Sequence, residues 1–351
     1  MPLILTASLC ATHHASAQIG MREVMLGKVA TTLVYPTPEK TKPLTRGPFT
    51  VDVALDAPAL EQRQRLIIMS HGSGGSAIAD HALAAALAKA GFVVVQPLHQ
   101  GDNYMDARDA GPVSFERRPS EIIQVLNALG QDSYWANRLD LSKVGVHGMS
   151  AGGVTGLTLA GAQWRTLNVV RHCGEYEKED EGFCFNGAKE GAARSTREAS
   201  FKRAQGVPEV FLPSDLKLVK GGRDISATQP DPRQDARIAS VSLMVPLAAI
   251  FSEESLARIQ IPVAVVSAQQ DLVLLPRFHS DRVLRHVKTS VQLAKLPGGH
   301  FDVLWPWPES VAKDVAAQQV RGGMPTPGFD AALRESAHEQ IVKFHRQHLA
   351  R

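Results

Sequence analysis

Cysteine, net charge and long hydrophobic runs are all scarce in this sequence. Its 351 residues include three cysteines and carry a formal net charge of +3. No stretch concentrates lysine and arginine, which argues against the basic face of a nucleic-acid-binding protein. Beyond the first residues, no segment is long and apolar enough to span a bilayer. We therefore expect neither a nucleic-acid partner nor a membrane span.

Apolar residues are plentiful, at 44% of the chain against 21% charged residues, so a sizeable core can be buried. Short valine-rich runs alternate with helical patterns, which predicts an α/β fold with a mainly parallel sheet covered on both faces. The predicted strands are 31–35, 49–53, 65–70, 92–97, 144–147, 239–245, 262–267 and 291–296. The predicted helices are 80–90, 120–129, one ending near 162, 252–259, 277–287 and 329–351.

The N-terminal stretch 1–17 has an apolar core and ends in Ala15-Ser16-Ala17, as a secretory signal peptide does. It lacks the usual positively charged start, and the alternative is a disordered tail. We expect a signal peptide and a periplasmic or secreted protein. Cys10 would leave with it, and the remaining Cys173 and Cys184 are close in sequence, which in an exported protein predicts a disulfide.

The segment Gly148-Met149-Ser150-Ala151-Gly152 fits the pattern G-x-S-x-G between a predicted strand and a predicted helix. In that setting the serine lies on a sharp turn and is pushed out above the sheet edge. A Cβ in place of either glycine would collide with the neighbouring strand or helix. Ser150 is therefore a candidate nucleophile; the alternative is an ordinary serine in a glycine-rich turn.

A serine hydroxyl needs a base to take its proton and an acid to orient that base. Asp271 follows one predicted strand and His300 follows the next, after two glycines, so the order is Ser, acid, His. Asp271 could instead cap a helix. Two rival acids are Asp302, which is very close to His300 in sequence, and Asp235, which precedes a strand.

An oxyanion hole needs backbone N–H donors, and we expect them from Ala151 and Ser73. The loop that contains Ser73, Gly72–Ala77, also fits the dinucleotide pattern G-x-G-x-x-G/A, with Asp102 after the next strand as a ribose-binding acid. An NAD(P)-binding oxidoreductase is therefore an alternative function. A catalytically silent binding protein on the same scaffold is another.

Taken together, the chain resembles the α/β-hydrolase family, and more narrowly the bacterial dienelactone-hydrolase-like proteins, which are similar to platelet-activating-factor acetylhydrolases. The matching residues are 34–37, 70–75, 99–102, 118–119, 148–153, 271 and 300. The resemblance implies one α/β-hydrolase domain over 18–351 and a Ser-Asp-His serine hydrolase without a cofactor. Dienelactone hydrolases use cysteine where this chain has Ser150, which favours ordinary carboxylic esters as small-molecule substrates.

Loops at the carboxyl ends of the strands would select the substrate. Met149 beside the nucleophile, with Trp305 and Trp307 in the loop after His300, could form the wall of a pocket. The two tryptophans could equally pack that loop onto the core. Periodicity is lost over about 163–236, which we interpret as an insertion that either covers the site as a lid or lies away from it. The sequence does not indicate the oligomeric state.

Overall fold

A computed structural model describes residues 18–185, 191, 194–195, 198, 233–317 and 324–350. The expected signal peptide at 1–17, and most of the expected insertion, lie outside the described residues. The signal peptide, the lid and the division into domains therefore stay predictions.

A ten-stranded sheet forms the centre of the protein. Its strands are β1 (Gln18–Leu26), β2 (Val29–Thr37), β3 (Lys42–Arg46), β4 (Phe49–Leu55), β5 (Gln64–Ser70), β6 (Phe92–Pro97), β7 (Leu139–Met149), β8 (Ile238–Met244), β9 (Val263–Ala268) and β10 (Ser290–Leu296). Their spatial order is β10-β9-β8-β7-β5-β6-β2-β1-β4-β3. The strands from β10 to β6 in this order are parallel, whereas β2 is antiparallel to both of its neighbours. The sheet is thus mainly parallel, as expected.

Helices cover both faces of this sheet. They are α1 (His81–Lys89), α2 (Pro112–Gln131), α3 (Ala151–Leu159), α4 (Thr166–Tyr176), α5 (Glu181–Cys184), α6 (Glu253–Leu256), α7 (Ser280–His286), α8 (Glu309–Ala317) and α9 (Ala331–His348). Within the described part of the chain, no helix has the length and apolar character needed to cross a membrane.

Each face of the sheet has its own apolar core. Strand β5 shows this by alternation, because Leu66 and Ile68 point to one core and Ile67 and Met69 to the other. The first core is completed by α2, α3, α6 and α7, and the second by α1 and α9. The central strands are buried on both faces, which is why they are continuous runs of valine, isoleucine and leucine rather than alternating polar and apolar residues.

Helix α2 begins eight residues earlier than predicted, at Pro112 instead of Ser120, and it continues through Pro119. Proline inside a helix removes one N–H donor and normally ends or kinks the helix. Here Ser114, Phe115 and Arg118 are all buried, so tertiary packing of this first part outweighs the local signal at Pro119.

Helices α4 and α5 lie in the segment that we interpret as an insertion. The predicted disulfide between Cys173 and Cys184 is present and joins these two helices. Both cysteines are buried in a small separate cluster with Phe185. Because the bond closes a short loop, the two helices form a compact hairpin.

The C-terminal helix α9 is fixed to the sheet by a buried histidine. His345 is fully buried and bonds through Nδ1 to the Ser240 hydroxyl at 2.9 Å and through Nε2 to the Ser242 hydroxyl at 2.8 Å. Burial lowers the pKa of His345 to about 3, so its ring is neutral at ordinary pH. The ring lies directly on Gly145 of β7, where an added Cβ would come within 2.8 Å of Nδ1.

His345→Leu should lower the free energy of unfolding by on the order of 2 kcal/mol, because the buried Ser240 hydroxyl loses its partner and the Ser242 hydroxyl keeps only its bond to His147. Urea unfolding monitored by circular dichroism measures this. The matched control is Gln347→Leu on the exposed side of the same helix, which should change stability by less than about 0.5 kcal/mol. Equal effects of the two replacements would contradict the anchoring role.

Candidate active site

Ser150 lies at the sharp turn between β7 and α3. Its backbone has φ 53° and ψ −115°, a conformation that non-glycine residues rarely adopt. Such a residue costs on the order of 1–3 kcal/mol and persists only when its surroundings hold it. The turn leaves Ser150 partly exposed between a buried strand and a buried helix.

The flanking glycines are needed for close approach of the backbone. A Cβ at Gly148 would lie 2.2 Å from the carbonyl oxygen of Gly152, and one at Gly152 would lie 1.9 Å from that of Ser70. The first contact is with the helix that follows and the second with the neighbouring strand β5. The steric reason expected for both glycines is therefore present.

The imidazole of His300 lies between the Ser150 hydroxyl and the Asp271 carboxylate. His300 Nε2 is 3.0 Å from Ser150 Oγ, and His300 Nδ1 is 2.8 Å from Asp271 Oδ2. The other carboxylate oxygen, Oδ1, accepts the backbone N–H groups of Val273 and Leu274. Both Asp271 and His300 are buried. In this geometry His300 can accept the serine proton at Nε2 while Asp271 orients the ring.

The two rival acids have other partners. Asp302 accepts the backbone N–H of Gly299 at 2.7 Å and that of Thr326 at 3.0 Å, so it braces the turn that carries His300. Asp235 pairs with Arg237. Asp271 is the acid whose carboxylate meets the His300 ring.

The glycine-rich loop after β5 passes directly against Ser150. A Cβ at Gly72 would lie 3.4 Å from the Ser150 Cβ and 2.8 Å from the Met149 sulfur. Met149 is buried beneath this loop. Ala151 begins α3, where the first N–H groups of a helix have no partner within it. The loop that carries Ser73 therefore lies beside the turn at Ser150, and the role of Ser73 and Ala151 as oxyanion donors stays a prediction.

A buried ion pair holds this loop in place. Arg118 and Asp102 are both fully buried and lie 2.7 Å apart. Arg118 also donates to the carbonyl oxygen of His71 at 2.6 Å. Asp102 in turn accepts the Ser73 hydroxyl at 2.6 Å and the Gly74 N–H at 3.0 Å. The loop backbone is thus held from both ends by one pair of side chains.

The same pair bears on the dinucleotide alternative. Burial raises the pKa of Asp102, but the Arg118 guanidinium and the Ser73 hydroxyl outweigh it and keep the pKa below its ordinary value. The carboxylate is therefore charged, fully buried and occupied by the loop and Arg118. It is not presented to a ribose hydroxyl, as the oxidoreductase hypothesis needs.

A chain of buried polar side chains runs beneath the loop. Glu121 Oε2 is 2.6 Å from His99 Nδ1, His99 Nε2 is 2.8 Å from the Ser70 hydroxyl, and that hydroxyl donates to Thr155 Oγ1 at 3.1 Å. Because Ser70 donates to Thr155, His99 Nε2 donates to Ser70. Burial lowers the pKa of His99, so its ring is neutral and Nδ1 accepts the proton of Glu121. Burial raises the pKa of Glu121 to about 7, which agrees with a protonated carboxyl. The chain joins α2, the loop after β6, the end of β5 and α3.

Trp305 and Trp307 pack against neighbouring rings. Trp305 stacks on Phe49 and on His81, each with ring centroids 5.8 Å apart, and Trp307 lies 5.3 Å from Phe49. The backbone N–H of Trp305 also donates to the carbonyl oxygen of Ala79. These contacts tie the loop after His300 to β4 and to the start of α1. A pocket formed by Met149, Trp305 and Trp307 stays a prediction.

His99, Arg118 and Glu121 were not predicted as site residues. Arg118 holds the glycine-rich loop, and His99 with Glu121 bonds to Ser70 at the start of that loop. The sequence spacing could have indicated that Arg118 and Glu121 are buried. Arg118 and Glu121 are three residues apart among Ile122, Val125 and other apolar positions, so they share a buried helix face. A charged residue on such a face must be paired. Which partner it takes depends on the packing of α2 against the loops.

Comparison with known proteins supports the fold. The structure is similar to that of a ferulic acid esterase from Streptomyces cinnamoneus, with a TM-score of 0.55 and 16% sequence identity, over 96% of this chain and 92% of that one. No protein-family model and no curated protein matches the sequence. The expected α/β-hydrolase fold is therefore confirmed by architecture, with its mainly parallel sheet and helices on both faces. Neither result singles out the narrower dienelactone-hydrolase-like group.

Glu121→Gln should make the protein progressively more stable, relative to the parent, as pH rises from about 4.5 to about 7. The pKa of Glu121 is about 7 in the folded protein and 4.5 in the unfolded chain. The protonated carboxyl therefore stabilises the fold fully below pH 4.5, and this stabilisation is lost as the pH rises through about 7. Glutamine copies the protonated carboxyl, since its amide can donate to His99 and accept the Gln100 N–H, which now bonds to Glu121 Oε1 at 3.1 Å. Urea unfolding of both proteins at pH 5, 6, 7 and 8 measures the difference, and a constant difference would contradict the protonated state.

Proposed function

We propose that this protein is a serine hydrolase that cleaves small carboxylic esters through an acyl-enzyme on Ser150. The observation that supports this most directly is the continuous hydrogen-bonded series from the Ser150 hydroxyl through His300 to Asp271. The strained turn at Ser150 supports it further, because such strain is concentrated at functional sites. Ser150 is also the member of the series that solvent can reach.

The reaction then proceeds in two halves. His300 Nε2 takes the serine proton as Oγ attacks the ester carbonyl, and the N–H groups of Ala151 and Ser73 stabilise the oxyanion. His300 returns the proton to the departing alcohol, which leaves the acyl group on Ser150. Water, deprotonated by His300, hydrolyses the acyl-enzyme and restores the serine. Asp271 stays ionised throughout and holds the Nδ1–H tautomer.

Three points support an ester as the substrate class. The structurally similar protein is by its name a ferulic acid esterase, and this chain has serine, rather than the cysteine of dienelactone hydrolases, at the nucleophile position. The resemblance of this chain to the platelet-activating-factor acetylhydrolases also supports an ester as its substrate. The disulfide between Cys173 and Cys184 is in keeping with export to the periplasm or the medium, where such bonds persist.

Ser150→Ala should abolish hydrolysis of short p-nitrophenyl esters and labelling by a fluorophosphonate, because both need the same nucleophile. The control is Ser142→Ala, an exposed serine near the start of strand β7, which should retain full activity and labelling. Initial rates and in-gel fluorescence measure the two properties. Hydrolysis by the Ser150 variant would refute the assignment. A folded parent that neither hydrolyses esters nor is labelled would favour the binding-protein alternative.

Asp271→Asn should lower kcat by on the order of 10⁴, as the equivalent change does in serine proteases, because asparagine favours the wrong His300 tautomer. Asp302→Asn is the informative comparison, since Asp302 braces the histidine turn without touching the ring. We expect a much smaller loss from it. Steady-state kinetics on a p-nitrophenyl ester compares the two, and a larger loss from Asp302→Asn would overturn the choice of acid.

A further inference from the structure

The loop after β8, residues 245–250, holds the backbone of Ser150 from one side; we call it the β8 loop. The Ser150 N–H donates to the carbonyl oxygen of Met244 at 3.0 Å, and the N–H of Leu247 donates to the Ser150 carbonyl oxygen at 3.0 Å. The loop itself includes Val245 at φ 41°. A β-branched residue in this conformation is a strong outlier, so the β8 loop needs restraint of its own.

His279, at the start of α7, supplies that restraint. Its Nδ1 accepts the backbone N–H groups of Ala248 at 3.1 Å and Ala249 at 3.4 Å. Because Nδ1 is an acceptor, the ring hydrogen is on Nε2, which donates to Asp180 Oδ2 at 3.1 Å. His279 is only 1% exposed, and burial lowers its pKa, so the neutral ring with this tautomer is maintained.

Asp180 belongs to the disulfide hairpin, which we define as residues 166–185 with α4, α5 and the Cys173–Cys184 bond. The same Oδ2 accepts from His172 Nε2 at 2.8 Å, whereas Oδ1 has no partner among the described residues. Burial raises the pKa of Asp180, but the hydrogen bonds from His172 and His279 outweigh it and bring the pKa to about 2. The buried Asp180 carboxylate therefore holds its two donors, His172 and His279, in fixed positions.

The hairpin also touches the loop of the proposed catalytic acid. A Cβ at Gly182 would lie 2.1 Å from the carbonyl oxygen of Leu272, the residue after Asp271. Backbone therefore packs on backbone at this point. The disulfide hairpin thus reaches the turn of the nucleophile through His279 and the acid loop through Gly182.

We propose that His279 is a positioning residue for Ser150, through which the disulfide hairpin holds the serine in its reactive orientation. The inference rests on the proposed function, since it concerns the same nucleophile. It assigns this described part of the expected insertion a role in supporting the site through its contacts with His279 and with the acid loop. A displacement of about 1 Å in such a site can cost about 10² in rate.

Two replacements of His279 test its two ring nitrogens separately: Nδ1, which bonds to the β8 loop, and Nε2, which bonds to Asp180. Glutamine can keep the donor to Asp180 but loses the acceptor for the β8 loop, whereas asparagine can keep the acceptor at the δ position but loses the donor. We expect His279→Gln to lower kcat about ten- to hundredfold with KM changed less than about twofold. His279→Asn should lower kcat less, about fivefold, because it keeps the acceptor for the β8 loop and releases only the hairpin; its Tm should also fall because Asp180 loses a donor.

The measurements are kcat and KM on a p-nitrophenyl ester at a temperature where circular dichroism shows each variant folded, together with Tm. The control is His286→Gln at the last residue of α7, and this variant should match the parent in kcat, KM and Tm. Parent-like kcat in both His279 variants would overturn the proposal, and so would losses of kcat that simply follow Tm. If Ser150→Ala remains active, it is the proposed function that fails instead.

A second variant keeps the test decisive if neither His279 protein folds. Cys173→Ser/Cys184→Ser removes the covalent link of the hairpin without touching the site. We expect its kcat to fall at least about fivefold, because a site that is held less firmly spends less time in the reactive geometry. The parent treated with dithiothreitol should show the same loss. An unchanged kcat in the folded double variant would overturn the proposal.

Discussion

The strained backbone of Ser150 is the constraint around which the surrounding structure is arranged. A side chain held at φ 53° relaxes unless its neighbours prevent it. Three elements do so: α3 packs against Gly148, β5 packs against Gly152, and β8 with its loop bonds both backbone groups of Ser150. Each contact is backbone against backbone, so small residues and exact strand register are needed there.

Buried polar side chains restrain the loops where sheet hydrogen bonds end. Arg118 with Asp102 holds the glycine-rich loop, and Asp180 with His279 holds the β8 loop. Taking such charges out of water costs several kcal/mol, and the hydrogen bonds that each charge makes offset part of that cost. In return, a charged group with several fixed partners sets the position of a loop more narrowly than apolar packing does. The loops that these pairs hold follow β5 and β8, which lie on either side of β7 in the sheet.

Much of the site could be predicted because parallel strands end at the same edge of a sheet. Ser150, Asp271 and His300 follow three different strands, and the structure brings their side chains within hydrogen-bonding distance. The mainly parallel sheet and the disulfide were also predicted correctly. The start of α2 was predicted wrongly, because Pro119 is a local signal whereas the burial of Ser114 and Phe115 is a tertiary one.

The sequence by itself determined the alternation of strands and helices around the site, the small residues around Ser150 and the spacing of the cysteines, but not strands β1 and β3. These are local properties, since periodicity, turn geometry and steric size act over a few neighbouring residues. Only the tertiary structure decided that Asp102 pairs with Arg118 rather than facing a ribose, and that His279 joins Asp180 to the β8 loop. A buried polar residue needs a hydrogen-bonding partner, but that partner is distant in sequence and depends on how the helices, strands and loops pack together.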